Sequence, residues 1–213
     1  GGTVGELTPI PTTYDFNDTW DLDYAVSSTD FAINFDGVDD HLDTGDTYQS
    51  TFRSSFTLAC WAMTSNSGAS GVALFGTVMA DITDQVLLFV HADSKLRFAL
   101  EGASGDFVQE TTDAAIFDTA DEWKHIAVTA TKNSGGNTDA IIYVNGSAVA
   151  ITNVGTLTEA NHNAYTNDRN LYIGGRNNDN TADVLWNGGM DEPAIWNVAL
   201  DADAIEAVYN SRV

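Results

Sequence analysis

The chain predicts an all-β protein, a sandwich or barrel of short antiparallel strands, and three observations carry that prediction. Glycine, Asn-Asp and Ser clusters interrupt short apolar runs along most of the 213 residues, the spacing of a two-layer β fold. Aspartate dominates the acids, with glutamate only at Glu6, Glu101, Glu110, Glu122, Glu159, Glu192 and Glu206. Aspartate favours turns and glutamate favours helices, so the bias suits a loop-rich β protein. Helical periodicity is credible in one place, the C-terminal "LDADAIEAVYNS".

The predicted strands are "FAINF" (31–35), "FTLACWAM" (56–63), "VALFGTV" (72–78), "VLLFVHA" (86–92) and "KLRFAL" (95–100). They continue with "DFVQE" (106–110), "WKHIAVTAT" (123–131), "AIIYVNG" (140–146), "NLYIGG" (170–175) and "MDEPAIWNV" (190–198). "HADSK" (91–95) reads as a tight hairpin. Asn145-Gly146 is the strongest local turn signal, because a type I′ turn needs positive φ at both central residues. "KNSGGNTD" (132–139) is a longer loop joining antiparallel strands. In the C-terminal helix Asp201 or Asp203 can act as N-cap, and Asp203 with Glu206 has capping-box spacing. Ala204, Ile205, Val208 and Tyr209 form a narrow apolar stripe, expected to seal one end of the sandwich.

Residues 1–30 behave differently. In "YDFNDTWDLDY", Tyr14, Phe16, Trp20, Leu22 and Tyr24 alternate with polar residues, a period of two broken at Asp18. This predicts an extended strand with one apolar face, folded as an edge strand of its own domain or docked on a neighbouring subunit. The organisation read from the chain is an extended arm over 1–30 and one domain over 31–213.

Acidic residues number 31 against 8 basic ones, a net charge of −23. Such a surface repels nucleic-acid backbones and anionic membranes alike. It suits solvation in salty water and can gather cations. No apolar run approaches the ~18 residues of a membrane-spanning helix. "GGTVGELTPIP" lacks the basic and apolar regions of a secretory signal. Cys60 is alone in an apolar run and is expected to be a buried small hydrophobe rather than half of a disulfide.

The pieces "INFDGVDDHLDTG", "FTLACWAM", "WKHIAVTAT", "IIYVNGSAV", "NLYIGG" and "NGGMDEPAIWNVALDADAIEAVYN" follow one another in an order that resembles the laminin-G-like, concanavalin A-like jelly-roll domains of adhesins, secreted carbohydrate-active proteins and virion surface proteins. The resemblance covers roughly residues 31 to 210. It implies a two-sheet antiparallel jelly-roll sandwich with a short C-terminal helix, its first and last strands neighbouring. It also implies a calcium ion near the glycine of the "FDG" turn and the acid of the last strand, which here are Asp36-Gly37 and Asp191. Pro193 departs from the family pattern. Proline cannot donate to a ladder, so the strand is expected to be an edge or bulged there.

The residues of "DGVDD" leave two readings open. Asp36, Asp39 and Asp40 are three carboxylates around a glycine that permits a sharp turn, as a calcium loop requires. They equally suit a β-turn whose aspartates bond their own backbone. The metal set expected is Asp36, Gly37, Asp39 and Asp191, with calcium tying the first strand to the last. A second polar cluster, "GGRNNDNTAD" (174–183), is either a solvated loop or a hydrogen-bonding loop for sugar hydroxyls. In the latter reading Arg176, Asn177, Asn178 and Asp179 sit at its tip and Trp186 offers a flat face to a sugar ring. Trp61, Trp123 and Trp196 lie within strand patterns and are expected in the core.

Chemistry beyond binding finds little support. Retaining or inverting glycoside hydrolysis needs two facing carboxylates, yet Glu101 leads into "GASGD" and Glu192 into "PAIW". A GxSxG elbow is missing, since "SGASG" and "EGASGD" place their glycines wrongly. His41, His91, His125 and His162 are scattered without zinc-ligand spacing, and His125 reads as structural. The function expected is a non-catalytic recognition or adhesion module for a glycan or receptor, on an extracellular or virion surface. The alternative is an assembly subunit of a larger particle, such as a virion decoration or tail-fibre protein, joined to its partners through the arm.

Overall fold

Two antiparallel sheets lie face to face, and their strands alternate between a buried and an outward side. The structure is a computed structural model. It describes residues 13–15, 21–27, 30–66, 71–79, 84–91, 93–102 and 105–211, those up to 31 by backbone alone. Phe16 and Trp20 lie outside the described residues.

In chain order the elements begin with β1 (Thr13–Asp15), β2 (Asp21–Ser27), β3 (Asp30–Asp36), β4 (Leu42–Asp43) and the single turn α1 (Gln49–Phe52). Then come β5 (Phe56–Ala62), β6 (Val72–Val78), β7 (Gln85–Val90), β8 (Leu96–Glu101), β9 (Phe107–Thr112) and β10 (Lys124–Lys132). The chain continues through β11 (Thr138–Val144), β12 (Ser147–Ala148), β13 (Ile151–Gly155) and α2 (Glu159–Asn163). It closes with β14 (Tyr172–Ile173), β15 (Arg176–Asn178), β16 (Thr181–Asp183), β17 (Asn187–Trp196) and α3 (Ala202–Asn210).

The first sheet has the order β1-β2-β3-β17-β5-β10-β11-β12, and the second runs β13-β9-β8-β7-β6-β14-β4 with β15 and β16 branching from β6. The expected neighbourhood of first and last strands is therefore present: β17 pairs with β3 over Asn187–Met190 and with β5 beyond. The stretch expected as one strand over Tyr14–Tyr24 contains parts of two, β1 and β2, which pair with each other, and β2 runs along β3.

Alternation assigns the faces. Phe56, Leu58, Cys60 and Ala62 of β5 and Ile126, Val128 and Ala130 of β10 point inward, meeting Leu88, Val90, Leu96, Phe98 and Leu100 of the other sheet. Each such Leu, Phe or Ile contributes about 1.5–3 kcal/mol by leaving water. The burial of Cys60 holds its thiol far above the usual range, so it packs as a hydrophobe and is no nucleophile.

The turns follow their chemistry. Asn145 (φ 50°) and Gly146 (φ 79°) are both left-handed and close β11 onto β12. Pro193 sits where the register of β17 against β5 shifts, between Asp191 and Ala194. A residue without an N–H is tolerated in such a bulge. Gly188 and Gly189 are needed for packing. A Cβ on Gly188 would lie 2.1 Å from the Met63 carbonyl, and one on Gly189 2.7 Å from the Trp123 ring.

Helix α3 is capped by Asp201, whose carboxylate accepts the Ala204 N–H at 2.9 Å. Its stripe does not seal an end of the sandwich. Ile205 packs on Ala59, Ala127 and Tyr143, the outward face of the first sheet, and Tyr209 stacks on Trp61 with ring centres 5.4 Å apart. The outer face carries the small residues Ala59 of β5 and Ala127 of β10 just there, leaving a shallow seat for the helix beside Tyr143 of β11. No helix among the described residues is long and apolar enough to cross a membrane.

Candidate functional site

Strand β3 delivers Asp36 to the surface, and the chain then turns through Gly37 at φ 76°. The Asp36 carboxylate accepts the N–H of Val38 at 2.7 Å, while Asp40 reaches back to accept the N–H of Asp36 at 3.0 Å. Both readings of this stretch thus meet in one place. It is a turn whose aspartates bond their own backbone, and it is also an acidic cluster. Oxygens of Asp36, Asp39 and Asp40 all lie within 4.8 Å of one another. Like charges so close repel, and a hard cation is the group that relieves them. The donor set fits such an ion, with Asp36 and Asp39 exposed and Asp40 buried.

Asp191 does not belong to this cluster. In register the residue opposite Asp36 is Asn187, whereas Asp191 lies four residues further along β17, opposite Trp61. The contact between the loop and the last strand is made by Asn187, which donates its amide to the Asp36 carbonyl at 2.9 Å. Asn187 also covers Gly37 so closely that a Cβ there would lie 2.8 Å away. The expected ligand pair Gly37–Asp191 is corrected to a contact between Gly37 and Asn187.

Strands β15 and β16 form a hairpin whose two-residue turn, Asp179-Asn180, has positive φ at both positions (49° and 68°). Arg176 grips Asp183 with two parallel bonds, Nε to Oδ1 at 2.7 Å and Nη2 to Oδ2 at 2.6 Å. Asn178 donates to the same carboxylate at 2.9 Å. Outside the hairpin, Arg169 pairs with Asp179 at 2.7 Å. A forked guanidinium–carboxylate pair fixes orientation as well as charge, so the polar face of this hairpin is rigid.

Two residues assigned to that face lie inside the protein. Asn177 is 1% exposed; its amide donates to the Asn170 carbonyl, and its oxygen accepts the Asn180 N–H. Trp186 is wholly buried, edge-on to Phe117 at 5.3 Å, and donates Nε1–H to the Met63 carbonyl. It cannot stack on a sugar. The chain is turned inward by Val184 (φ 46°), whose carbonyl accepts from Ala73 while the Trp186 N–H bonds Gly174. A β-branched residue in the left-handed region carries strain that the surrounding bonds must hold. Trp61 is buried as expected, whereas Trp123 and Trp196 are only half-buried.

Two of the four histidines, His162 and His125, are structural. His162 is buried, its Nε2 donating to the Phe52 carbonyl and its Nδ1 accepting from Thr138 at 2.7 Å, which fixes the neutral ring. His125, 2% exposed beside Trp61 and Tyr209, is held by burial at a pKa of about 4.

Residues 36–206 match the family model of the concanavalin A-like lectin/glucanases superfamily. No curated protein matches the chain. Among solved structures it is similar to the CBM40 domain of the Ruminococcus gnavus IT-sialidase bound to α2,3-sialyllactose, at 15% identity and a TM-score of 0.64, covering 84% of this chain and 95% of that one. It is also similar to the heptameric SAP-like pentraxin of Limulus polyphemus, at 16% identity and a TM-score of 0.56, covering 87% and 84%. The NanB sialidase of Streptococcus pneumoniae is a third, at 15% identity and a TM-score of 0.61. There the match covers 82% of this chain but 27% of the sialidase. At these identities the likeness establishes the jelly-roll sandwich shared by all three.

Proposed function

The chain belongs to the concanavalin A-like lectin/glucanase superfamily, and from that premise we propose that it is a non-catalytic glycan-recognition module on an outer surface, with a structural calcium ion in the Asp36–Asp40 loop. The observation that carries the reading is the β15–β16 hairpin. Its polar side chains Arg176 and Asn178 are locked onto Asp183, and Asp179 is locked onto Arg169. Groups that already hold one orientation bind a polyhydroxylated ligand without first losing side-chain entropy. Structures of the same fold that carry carbohydrate-binding names support the ligand class.

Calcium would be held by Asp36, Asp39 and Asp40. Its work is mechanical: it neutralises three clustered charges and stiffens the loop that Asn187 ties to the last strand. A glycan array run with and without chelator tests the recognition reading. Binding to one or more glycans that Arg176→Ala removes supports it, and silence in both conditions removes it.

The placement of β1 at the edge of the first sheet favours a second reading. Edge strands present unpaired backbone groups on which another chain can add. In that reading the N-terminal segment joins copies into an assembly or a particle. Deletion of residues 1–30 would then leave a folded monomer, and copies that stay assembled after the deletion would refute it.

A further inference from the structure

The two sheets do not close evenly along their outer margins. Strand β12 covers β11 only at Tyr143 and Val144. At the other end Asn137 bridges Thr158 while the Thr138 N–H bonds the Leu157 carbonyl, so among the described residues the stretch Asp139–Ile141 has no strand partner on that side. Across the gap, β9 and β13 continue as a pair, with Glu110 opposite Asn153 and Val108 opposite Gly155. The result is a cleft of about 240 Å³ lined by Val108, Glu110, Thr138, Asp139, Asn153 and Thr156 among others.

Strand alternation puts Glu110 on the inward side of β9, between Val108 and Thr112. An acid there is unusual, since the equivalent positions of the neighbouring strands hold the apolar core. Glu110 is 4% exposed. One carboxylate oxygen accepts the Asn153 amide at 2.6 Å, while the other is buried without a hydrogen-bond partner. Burial pushes this carboxyl above its ordinary range; the Asn153 bond pulls it down, and the charge of Asp139 pushes it further up. Leaving a carboxylate oxygen buried and unpartnered is costly.

We propose that this cleft is a binding subsite for one neutral sugar ring, with the Glu110 carboxylate accepting its hydroxyl groups. Its ligand class rests on the glycan reading, but its location does not. It lies at the β13 margin of the second sheet, five strand steps from the hairpin, or roughly 24 Å at the usual strand spacing. The lining explains the choice of ligand. It carries carboxylates, amides and hydroxyls and no basic side chain, so it repels an anionic sugar. Hydroxyls both donate and accept, and amide and threonine groups match them in both senses. The volume is below that of ordinary ligand pockets, which suits a single ring rather than a longer oligosaccharide. Asn153 is exposed at the rim, so it can turn aside and let a hydroxyl reach the second oxygen of Glu110.

The test is titration of the full chain with methyl glycosides of glucose, galactose and mannose, followed by amide shifts in NMR spectra. At least one glycoside is expected to shift Val108–Glu110, Asn137–Ala140 and Asn153–Thr156 together. Glu110→Gln should weaken that binding about tenfold or more while melting no lower than the parent chain. Thr156→Trp, a change at the exposed rim, should fill the cleft and abolish the shifts. Unchanged affinity in the Gln variant, shifts confined to other regions, or a preference for sialic acid would overturn the site. Calcium reproducing the same shifts would make it a cation site and overturn it equally. Binding on the glycan array without cleft shifts removes this subsite and leaves the hairpin reading intact. Cleft shifts with a silent array do the reverse.

Discussion

The hairpin of residues 176–183 and the cleft around Glu110 are both polar and both lie beside the second sheet, yet they treat their charges in opposite ways. In the hairpin each guanidinium meets a carboxylate, and Asp183 is shared by Arg176 and Asn178. In the cleft a buried carboxylate keeps one oxygen unpartnered and has a second acid, Asp139, nearby. The comparison separates polar groups that are paired from a polar group that is left partly open. The first kind stabilises the hairpin in the orientation it would present to a ligand; the second costs stability and leaves an acceptor free for one.

Substitutions can break or sharpen that contrast. The largest effect belongs to neither margin: Trp186→Ala should cost about 3–5 kcal/mol, read in a denaturant melt, because the ring fills the core. A surface platform would lose ligand binding instead and keep its stability.

Next comes acid sensitivity. His125 has a folded-state pKa depressed to about 4, so the unfolded chain binds the proton more readily between its ordinary pKa and that value. Stability should therefore fall as pH drops through this window, by up to about 3 kcal/mol. In His125→Phe the melting temperature should vary less with pH over the same range, with His162, also depressed by burial, supplying what remains. Equal acid sensitivity in both chains would mean that other groups govern the response.

Removal of the proposed calcium is expected to rank third. Chelator should lower the melting temperature of the parent chain, and Asp39→Ala should abolish the difference. Asp191→Ala should leave the response intact, because Asp191 pairs in register with Trp61, four residues along β17 from the position opposite Asp36. A response lost in Asp191→Ala as well as in Asp39→Ala would restore Asp191 to the ligand set first expected.

Much of this was legible in the chain. Short apolar runs between turn clusters located most of the strands, Asn145-Gly146 marked its hairpin, and Pro193 marked a bulge, since each signal is local backbone chemistry. The tryptophans were less legible. Trp186 follows an asparagine-rich loop, and nothing nearby signals that Val184 adopts a left-handed φ and turns the ring inward. Asp191 was misplaced because the register of β17 against β3 depends on pairing across more than 150 residues of chain, which no local pattern sets. Glu110 left a usable signal that went unread. In "DFVQETT" it shares a face with Val108 and Thr112, so strand alternation alone places an acid among core positions.

The most direct measurement replaces a carboxylate by its amide at each margin and compares melting temperatures at neutral pH. Asp183→Asn should melt lower than the parent chain by about 1 kcal/mol after allowance for partial exposure. Glu110→Gln should melt as high or higher. Glu110 has a raised folded-state pKa, so its penalty is present above that value and lifts as pH falls toward its ordinary range; any gain of the Gln variant should shrink in acid accordingly. Opposite signs for the two substitutions at neutral pH would uphold the distinction between paired architecture and an open site. A loss of stability in both would place Glu110 among the structural residues and contradict it.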